Sequence, residues 1–293
     1  MTRYAIVEAP SHLGLRAAGV EQLPSALLRA GLANRLNARL AARLPVPRFD
    51  PRIDPGTRML NPTDLRDYSS ILADAVGSAL DQGDFPIVLG GDCSILLGNA
   101  LALKRRGRYG VLFLDGHADF YQPEAEPRGE SASMDLALVT GRGPQIVANL
   151  EGRSPLVRDE DVVLFAFRDA EHAAAEGSQP LPSALSAIDL ETVRDRGVEE
   201  AARDVLVRLT RENGPAGFWI HLDVDVLDDA IMPAVDYRLP DGLSWAELTT
   251  VLGAAVFSGH AVGLDVTIFN PLLDTGDRLA RALVDALVAA LSP

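Results

Sequence analysis

The chain has 293 residues, with 27 Lys and Arg against 41 Asp and Glu for a formal net charge of -14, and 47% of it is hydrophobic. That length and apolar content exclude disordered and fibrous chains and allow a substantial buried core. The negative surface, whose densest basic cluster is Lys104, Arg105, Arg106 and Arg108, repels phosphate groups, so nucleic-acid binding and adsorption to acidic membranes are excluded as functions.

Six short apolar runs read as buried strands: YAIV from Tyr4, FPIVLG from Phe85, YGVLFLD from Tyr109, DVVLFAF from Asp161, GFWIHLDVD from Gly217 and AVGLDVTIF from Ala261. Between and after them lie stretches with apolar residues at helical spacing: PSALLRAGLANRLNARLAARL, DLRDYSSILADAVGSALDQG, VEEAARDVLVRLTREN, WAELTTVLGAAVFSG and DRLARALVDALVAAL. Strand and helix in alternation predict an α/β chain with a mainly parallel sheet covered on both faces. No repeat or flexible linker interrupts it, so a single domain over residues 1–293 is expected. The aperiodic stretches Pro45 to Pro62 and Tyr121 to Ser131 are candidates for a substrate mouth. The one cysteine, Cys93, cannot form an internal disulfide, and no secretory leader or run of about 18 apolar residues is present, which predicts a cytoplasmic protein.

Polar residues concentrate where three strands should end, in GGDCS (Gly90 to Ser94), DGHAD (Asp115 to Asp119) and HLDVD (His221 to Asp225). In an open parallel sheet, ligands bind beyond the carboxyl ends of the strands, so these segments should converge. Carboxylates and an imidazole crowded behind a buried strand are costly to bury and repel one another, and a divalent cation reverses both effects. On an extended backbone Asp223 and Asp225 would share a face. Mixed carboxylate and imidazole donors suit Mn, Fe, Co, Ni or Zn better than Ca, and a set this large can hold two ions.

The motifs in this order resemble the GGDHS, DAHxD and S-x-D-x-D pattern of the arginase, agmatinase and formiminoglutamase group of ureohydrolases. RDAEHA near Arg168 is similar to the group's GLRD segment, and GLDVTIFNP near Asp265 to its D-x-x-E-x-N-P segment, so the likeness covers nearly the whole chain. The resemblance implies a three-layer α/β/α sandwich and two divalent ions, usually manganese. Asp115 and Asp223 would bridge them, His117 and Asp225 complete one position, and Cys93 and Asp119 face the other. Cations lower the pKa of a shared water, making a nucleophile for a guanidino carbon near neutral pH; Asp119 would orient it as a catalytic residue. Homo-oligomers, commonly trimers or hexamers, are also implied.

Three departures from the group's pattern bear on substrate and metal. Cys93 replaces a histidine, and its thiolate favours a softer ion such as zinc at that position, unless it merely packs as a small apolar residue. Ile268 stands where arginases and agmatinases pair a carboxylate with the substrate guanidinium, and Ala132 and Ser133 occupy the loop that carries a proton-shuttling histidine in arginases. His12 and His172 are candidate replacements for that histidine. Glu171 aligns with the acidic group that holds the α-amino end of arginine, and Tyr237 follows the metal-binding strand closely; with His12 and Ser133 they form the expected substrate contacts. A charged pair after a buried strand predicts loop-fixing ion pairs for Arg168 and Asp169. The reading that follows is a binuclear metal-dependent hydrolase of a linear guanidino or amidino C–N bond, with an unusual guanidine such as N-hydroxy-L-arginine as substrate rather than arginine. A formimino or amide substrate, and a metal-binding family member without turnover, are the competing readings.

Overall fold

Eight strands form one sheet in the computed structural model, which describes residues 2–16 and 18–292. In chain order they are β1 (Tyr4–Glu8), β2 (Arg39–Arg43), β3 (Phe85–Leu89), β4 (Gly110–Leu114), β5 (Val162–Phe165), β6 (Ser186–Ile188), β7 (Phe218–Asp223) and β8 (Ala261–Thr267). Their order across the sheet is β2-β1-β3-β8-β7-β4-β5-β6 and every pairing is parallel, a stricter arrangement than the mainly parallel sheet expected.

The helices are α1 (Leu23–Arg29), α2 (Leu32–Arg35), α3 (Pro62–Asp81), α4 (Leu96–Lys104), α5 (Asp135–Val139), α6 (Gln145–Ala148), α7 (Ala170–Ala175), α8 (Leu190–Arg196), α9 (Val198–Leu209), α10 (Trp245–Phe257) and α11 (Arg278–Leu291). Alternation along the strands divides the core in two. Leu112, Leu114, Phe218, Ile220 and Leu222 pack with α1, α9, α10 and α11 on one face, whereas Val111, Phe113 and Trp219 pack with α3, α4, α5 and α6 on the other. A fully parallel sheet has to be covered on both faces, and these helices complete the α/β/α sandwich. No helix among the described residues is long and apolar enough to cross a membrane.

Two sequence expectations fail at the sheet edges. RLAAR, inside a stretch with helical spacing, is the edge strand β2, and the helix expected there breaks into α1 and α2. Asn37 takes a left-handed φ of 49° and turns the chain out of the helix, after which pairing with β1 overrides the helical preference of Leu, Ala and Arg. The three-residue β6 has too little apolar character to stand out.

The interior accommodates two local exceptions. Pro86 lies in β3 between two other strands, but pairing with β8 starts only at Ile87, so its missing N–H removes no bond on that side. A Cβ at Gly263 would strike the indole of Trp219, so the glycine lets that ring lie flat over β8.

A candidate metal centre

The strand order brings the carboxyl ends of β3, β8, β7 and β4 side by side, and with them the three polar motifs. Cys93 opens a 3-10 turn, Cys93–Ile95, capped by Asp92, whose carboxylate accepts from the Ser94 amide at 2.9 Å. Asp115 is the first residue after β4, and its Oδ1 accepts from the His117 amide at 2.6 Å. Asp223 ends β7, and there the extended backbone stops: Val224–Val226 is a 3-10 turn in which Asp223 Oδ1 accepts from the Asp225 amide at 2.7 Å. Asp223 and Asp225 thus reach the same site through a capped turn and not through the strand alternation expected of them.

All six expected metal-binding residues come together. His117 Nδ1 lies 3.0 Å from Asp225 Oδ2 and 3.6 Å from Asp115 Oδ1, and donor atoms of these three residues fall within 4.8 Å of one another. Across the site the Cys93 thiol donates to Asp223 Oδ2 at 2.8 Å. Asp119, with a left-handed φ of 43°, and Cys93, Asp223, Asp225 and His117 line one cavity of about 560 Å³.

The electrostatics of the metal-free protein fit a cation site. Burial, then the Asp225 charge, raises Asp115 to about 6. Burial and neighbouring carboxylates also push Asp119, Asp223 and Asp135 well above the usual carboxylate range. Cys93 rises well above an ordinary thiol for the same reasons. Burial opposes the charge on His117, but Asp225 and Asp115 outweigh it and hold the imidazole protonated far above its usual range. Asp225 alone among these acids is lowered, because His117 and Arg168 overcome its desolvation. Asp115 Oδ2 is buried with no hydrogen-bond partner among the described residues. Each upward shift reflects carboxylates crowded without a counter-charge, and a divalent cation would let every one of them ionise.

The cavity separates the expected substrate contacts. Ser133 and Tyr237 line it, as does His172, one of the two candidate replacements for the shuttle histidine. Ser133 donates to the Glu130 carbonyl at 2.9 Å, and Tyr237 donates to the Glu130 carboxylate while Arg128 sits 5.6 Å over its ring. Glu171 is exposed on the first turn of α7 and is not among the lining residues; Asp169 and Glu176 approach the cavity from that segment. His12 is also outside the lining and packs against Phe49 with ring centroids 5.1 Å apart. Of the two aperiodic stretches, residues 121–131 build the wall, joined by Ala132 and Ser133 just beyond it, whereas residues 45–62 contribute no lining residue.

Arg168 and Asp169 fix loops, but not as the ion pairs expected. The Arg168 guanidinium donates to the carbonyls of Asp225 at 2.8 Å, Pro240 at 2.9 Å and Leu239 at 3.0 Å, and Asp169 accepts from the Ala118 amide at 3.0 Å. Backbone carbonyls left by the turn after β7 are the nearer acceptors for a buried guanidinium.

Two polar groups at the site receive no role from the sequence, although His221 belongs to the HLDVD motif. His221 lies two residues before Asp223 on the same face of β7, and its Nδ1 meets Asp265 Oδ2 at 2.8 Å. Asp135, at the start of α5, is fully buried. Burial lowers His221, yet Asp265, Asp135 and Asp115 together raise it to about 9. The i, i+2 spacing from Asp223 was the available signal for His221; Asp135 carried none, because its neighbours are distant in the chain.

The profile of the arginase family matches residues 2–292. The arginase of Staphylococcus aureus strain MSSA476 is 29% identical over 287 residues, covering 95% of this chain and 93% of that one. The structure of Bacillus caldovelox arginase superposes with a TM-score of 0.88 at 25% identity, covering 100% of this chain and 99% of that one. The fold is also shared with proclavaminate amidino hydrolase from Streptomyces clavuligerus, at a TM-score of 0.67 and 19% identity, with 99% and 92% covered. With the motifs, the sheet order and the profile in agreement along its length, the chain belongs to the arginase family and is a hydrolase of that family.

Proposed function

We propose that this hydrolase cleaves the guanidino C–N bond of an amino-acid guanidine of lowered basicity, N-hydroxy-L-arginine in preference to L-arginine, releasing an amine and a urea derivative. The observation that carries the reading is the cavity in which His117 and Asp225, two members of the metal-type cluster completed by the buried Asp115, face an apolar wall at Ile268. Ile268 is nearly buried, and it offers no negative charge to a guanidinium. A cationic group desolvated against it would lose hydration without a partner. An N-hydroxy substituent withdraws electron density and makes the guanidine a weaker base, so the neutral form enters at smaller cost.

Asp115, His117, Asp223 and Asp225, with Cys93 and Asp119, are the residues that would hold two divalent ions, manganese at the histidine-bearing position. Bound there, divalent ions supply charge neutralisation and an activated water. The remaining work falls to the chain. Asp119, which lines the cavity on a left-handed backbone, would keep a proton and orient a nucleophile or leaving nitrogen. Arg128 and Glu130, 3.1 Å apart on the wall, offer one charge of each sign to the carboxylate and ammonium of an amino-acid substrate. Tyr237, braced on Glu130, narrows the approach. The same reading places the enzyme in the cytoplasm as a homo-oligomer, a trimer or hexamer.

The test is product analysis with Mn-loaded protein on L-arginine, N-hydroxy-L-arginine, agmatine, 4-guanidinobutyrate and formiminoglutamate, with Asp115→Asn as control. The expected result is highest kcat/KM on N-hydroxy-L-arginine and none in the control. Higher kcat/KM on L-arginine overturns the substrate; silence throughout overturns guanidino hydrolysis.

A further inference from the structure

Behind the cavity floor, three buried groups of opposite character face one another without hydrogen bonds. His221 Nε2, Asp115 Oδ2 and both carboxylate oxygens of Asp135 have no hydrogen-bond partner among the described residues, although all three residues are fully buried. Donor atoms of Cys93, Asp115 and His221 lie within 4.8 Å of one another; Asp135 is outside that group of three and reaches it through His221, with its Oδ2 3.8 Å from His221 Nε2, so a short side-chain movement would bring it onto a shared ion. Leaving one such group unpaired costs about 1–3 kcal/mol, more when it is charged, so a cluster of them needs a compensating charge.

The imidazole is oriented for coordination. Asp265 binds Nδ1 at 2.8 Å and is itself held by the Trp219 indole N–H at 2.6 Å, while Phe113 stacks on the ring with centroids 4.5 Å apart. A carboxylate on one ring nitrogen fixes the tautomer and leaves the other free for a metal, the usual outer arrangement of metal-bound histidine. Bond lengths of about 2.0–2.3 Å in a tetrahedral zinc site put neighbouring donors about 3.3–3.8 Å apart, close to the His221 to Asp135 separation.

We propose that Cys93, Asp115, His221 and Asp135 form a four-donor site for one borderline-soft divalent cation, zinc in preference to manganese. His221, projecting from β7, supplies the imidazole that the GGDCS turn lacks. Thiolate, imidazole and carboxylate together select zinc over manganese by softness and by the tetrahedral number. The cation displaces the thiol proton of Cys93, which leaves with solvent, and the sulfur gives up its hydrogen bond to Asp223. This site replaces the position that Cys93 would otherwise share with Asp119 and Asp223: the ion would sit deeper, with Asp115 shared with the position at His117 and Asp225. This inference builds on the metallohydrolase reading and concerns where metal binds, not what is cleaved.

Anaerobic titration of the full chain with Co2+ and then Zn2+ tests it. Wild-type protein should show an intense thiolate-to-cobalt charge-transfer absorption with tetrahedral d–d bands, both abolished as zinc replaces cobalt. Asp135→Asn and His221→Asn should each weaken zinc binding by more than about 100-fold, beyond the 10–100-fold typical of losing an outer hydrogen bond. Asp225→Asn, on the other donor set, should retain the charge-transfer band. Should His221→Asn fail to fold, Asp135→Asn decides alone, because it keeps the shape of a side chain whose oxygens have no hydrogen-bond partner among the described residues. A wild-type cobalt spectrum without the thiolate band, or a folded Asp135→Asn with unchanged zinc affinity and d–d bands, overturns the proposal. Turnover without the thiolate band removes this site and leaves the hydrolase reading standing; the band without turnover on any guanidine does the reverse.

Discussion

His221 on β7 and Asp265 on β8 are register partners on adjacent parallel strands, and their side chains meet at 2.8 Å in an interior that neither shares with solvent. The same carboxylate accepts the Trp219 indole N–H from two residues earlier on β7, so one acid on β8 orders two large side chains of its neighbour. Removing it in Asp265→Ala strands a buried imidazole and an indole N–H together. A loss of about 3–5 kcal/mol is expected in urea denaturation of the metal-free protein, the range for breaking one side of a buried pair. Asp265→Asn, which retains an acceptor for the indole, should lose less.

Asp115 belongs to both donor groupings and has one carboxylate oxygen without a hydrogen-bond partner among the described residues. Asp115→Asn should therefore abolish binding of both ions, with a fall in kcat/KM of at least about 10³-fold, equivalent to several kcal/mol of lost transition-state stabilisation. Metal content by mass spectrometry and steady-state kinetics check the two halves of that expectation separately.

At Ile268 the backbone takes a φ of 68°, a left-handed conformation that β-branched residues adopt at a cost of about 1–3 kcal/mol. Its amide donates to the Gly91 carbonyl at 2.8 Å, which ties that turn to the GGDCS segment. Ile268→Glu is less strained at this φ because glutamate is not β-branched, and it places a carboxylate on the cavity wall. The ratio of kcat/KM for L-arginine over N-hydroxy-L-arginine should rise about 10- to 100-fold, the value of one charged hydrogen bond. An unchanged ratio would mean that this wall does not touch the guanidino group.

Metal-free protein should lose stability as pH rises. Asp115 is raised from 3.8 to about 6 by burial and by Asp225, so the folded state binds its proton more tightly than the unfolded chain. Stability from this group is fully present below pH 3.8 and is lost as pH climbs through about 6. His221, raised from 6.5 to about 9, adds a loss of the same sign at higher pH. Denaturation midpoints of chelator-treated protein should fall between pH 5 and 8, and added divalent metal should restore more stability at pH 8 than at pH 5, because cations compete with those protons. Midpoints that rise over this interval without metal would contradict the buried, proton-sharing cluster.

Arg168 joins the segment after β5 to the turn after β7 by donating to several backbone carbonyls at once. A lysine cannot reproduce that fork. Arg168→Lys should loosen the turn that carries Asp225 and reduce metal affinity about 10- to 100-fold while leaving the fold intact. Metal titration alongside far-ultraviolet circular dichroism distinguishes this from general unfolding.

The parts of the fold legible from the chain are those encoded by neighbours. Buried central strands such as FPIVL and GVLFL stand out because both faces are covered and nearly every position is apolar. The edge strands β2 and β6 do not, since one side lacks a partner strand and their residues are partly exposed. At the site the same division holds. Cys93, Asp115, His117, Asp119, Asp223 and Asp225 lie in compact motifs at strand ends and come together, whereas Glu171, aligned with a family position, and His12, offered as a substitute for a missing histidine, lie outside the cavity lining.

Donor types and their attachment to the ends of apolar strands are readable along the chain, because each is a property of a few consecutive residues. The insertion of β8 and β7 between β3 and β4, which rests His221 against Asp265 and turns it toward Asp135 and Asp115, is not written in any such run. Strand order is chosen by the packing of whole layers, and no local spacing records it; the hydrogen-bond-free edge of a buried imidazole becomes visible only once those layers have closed around it.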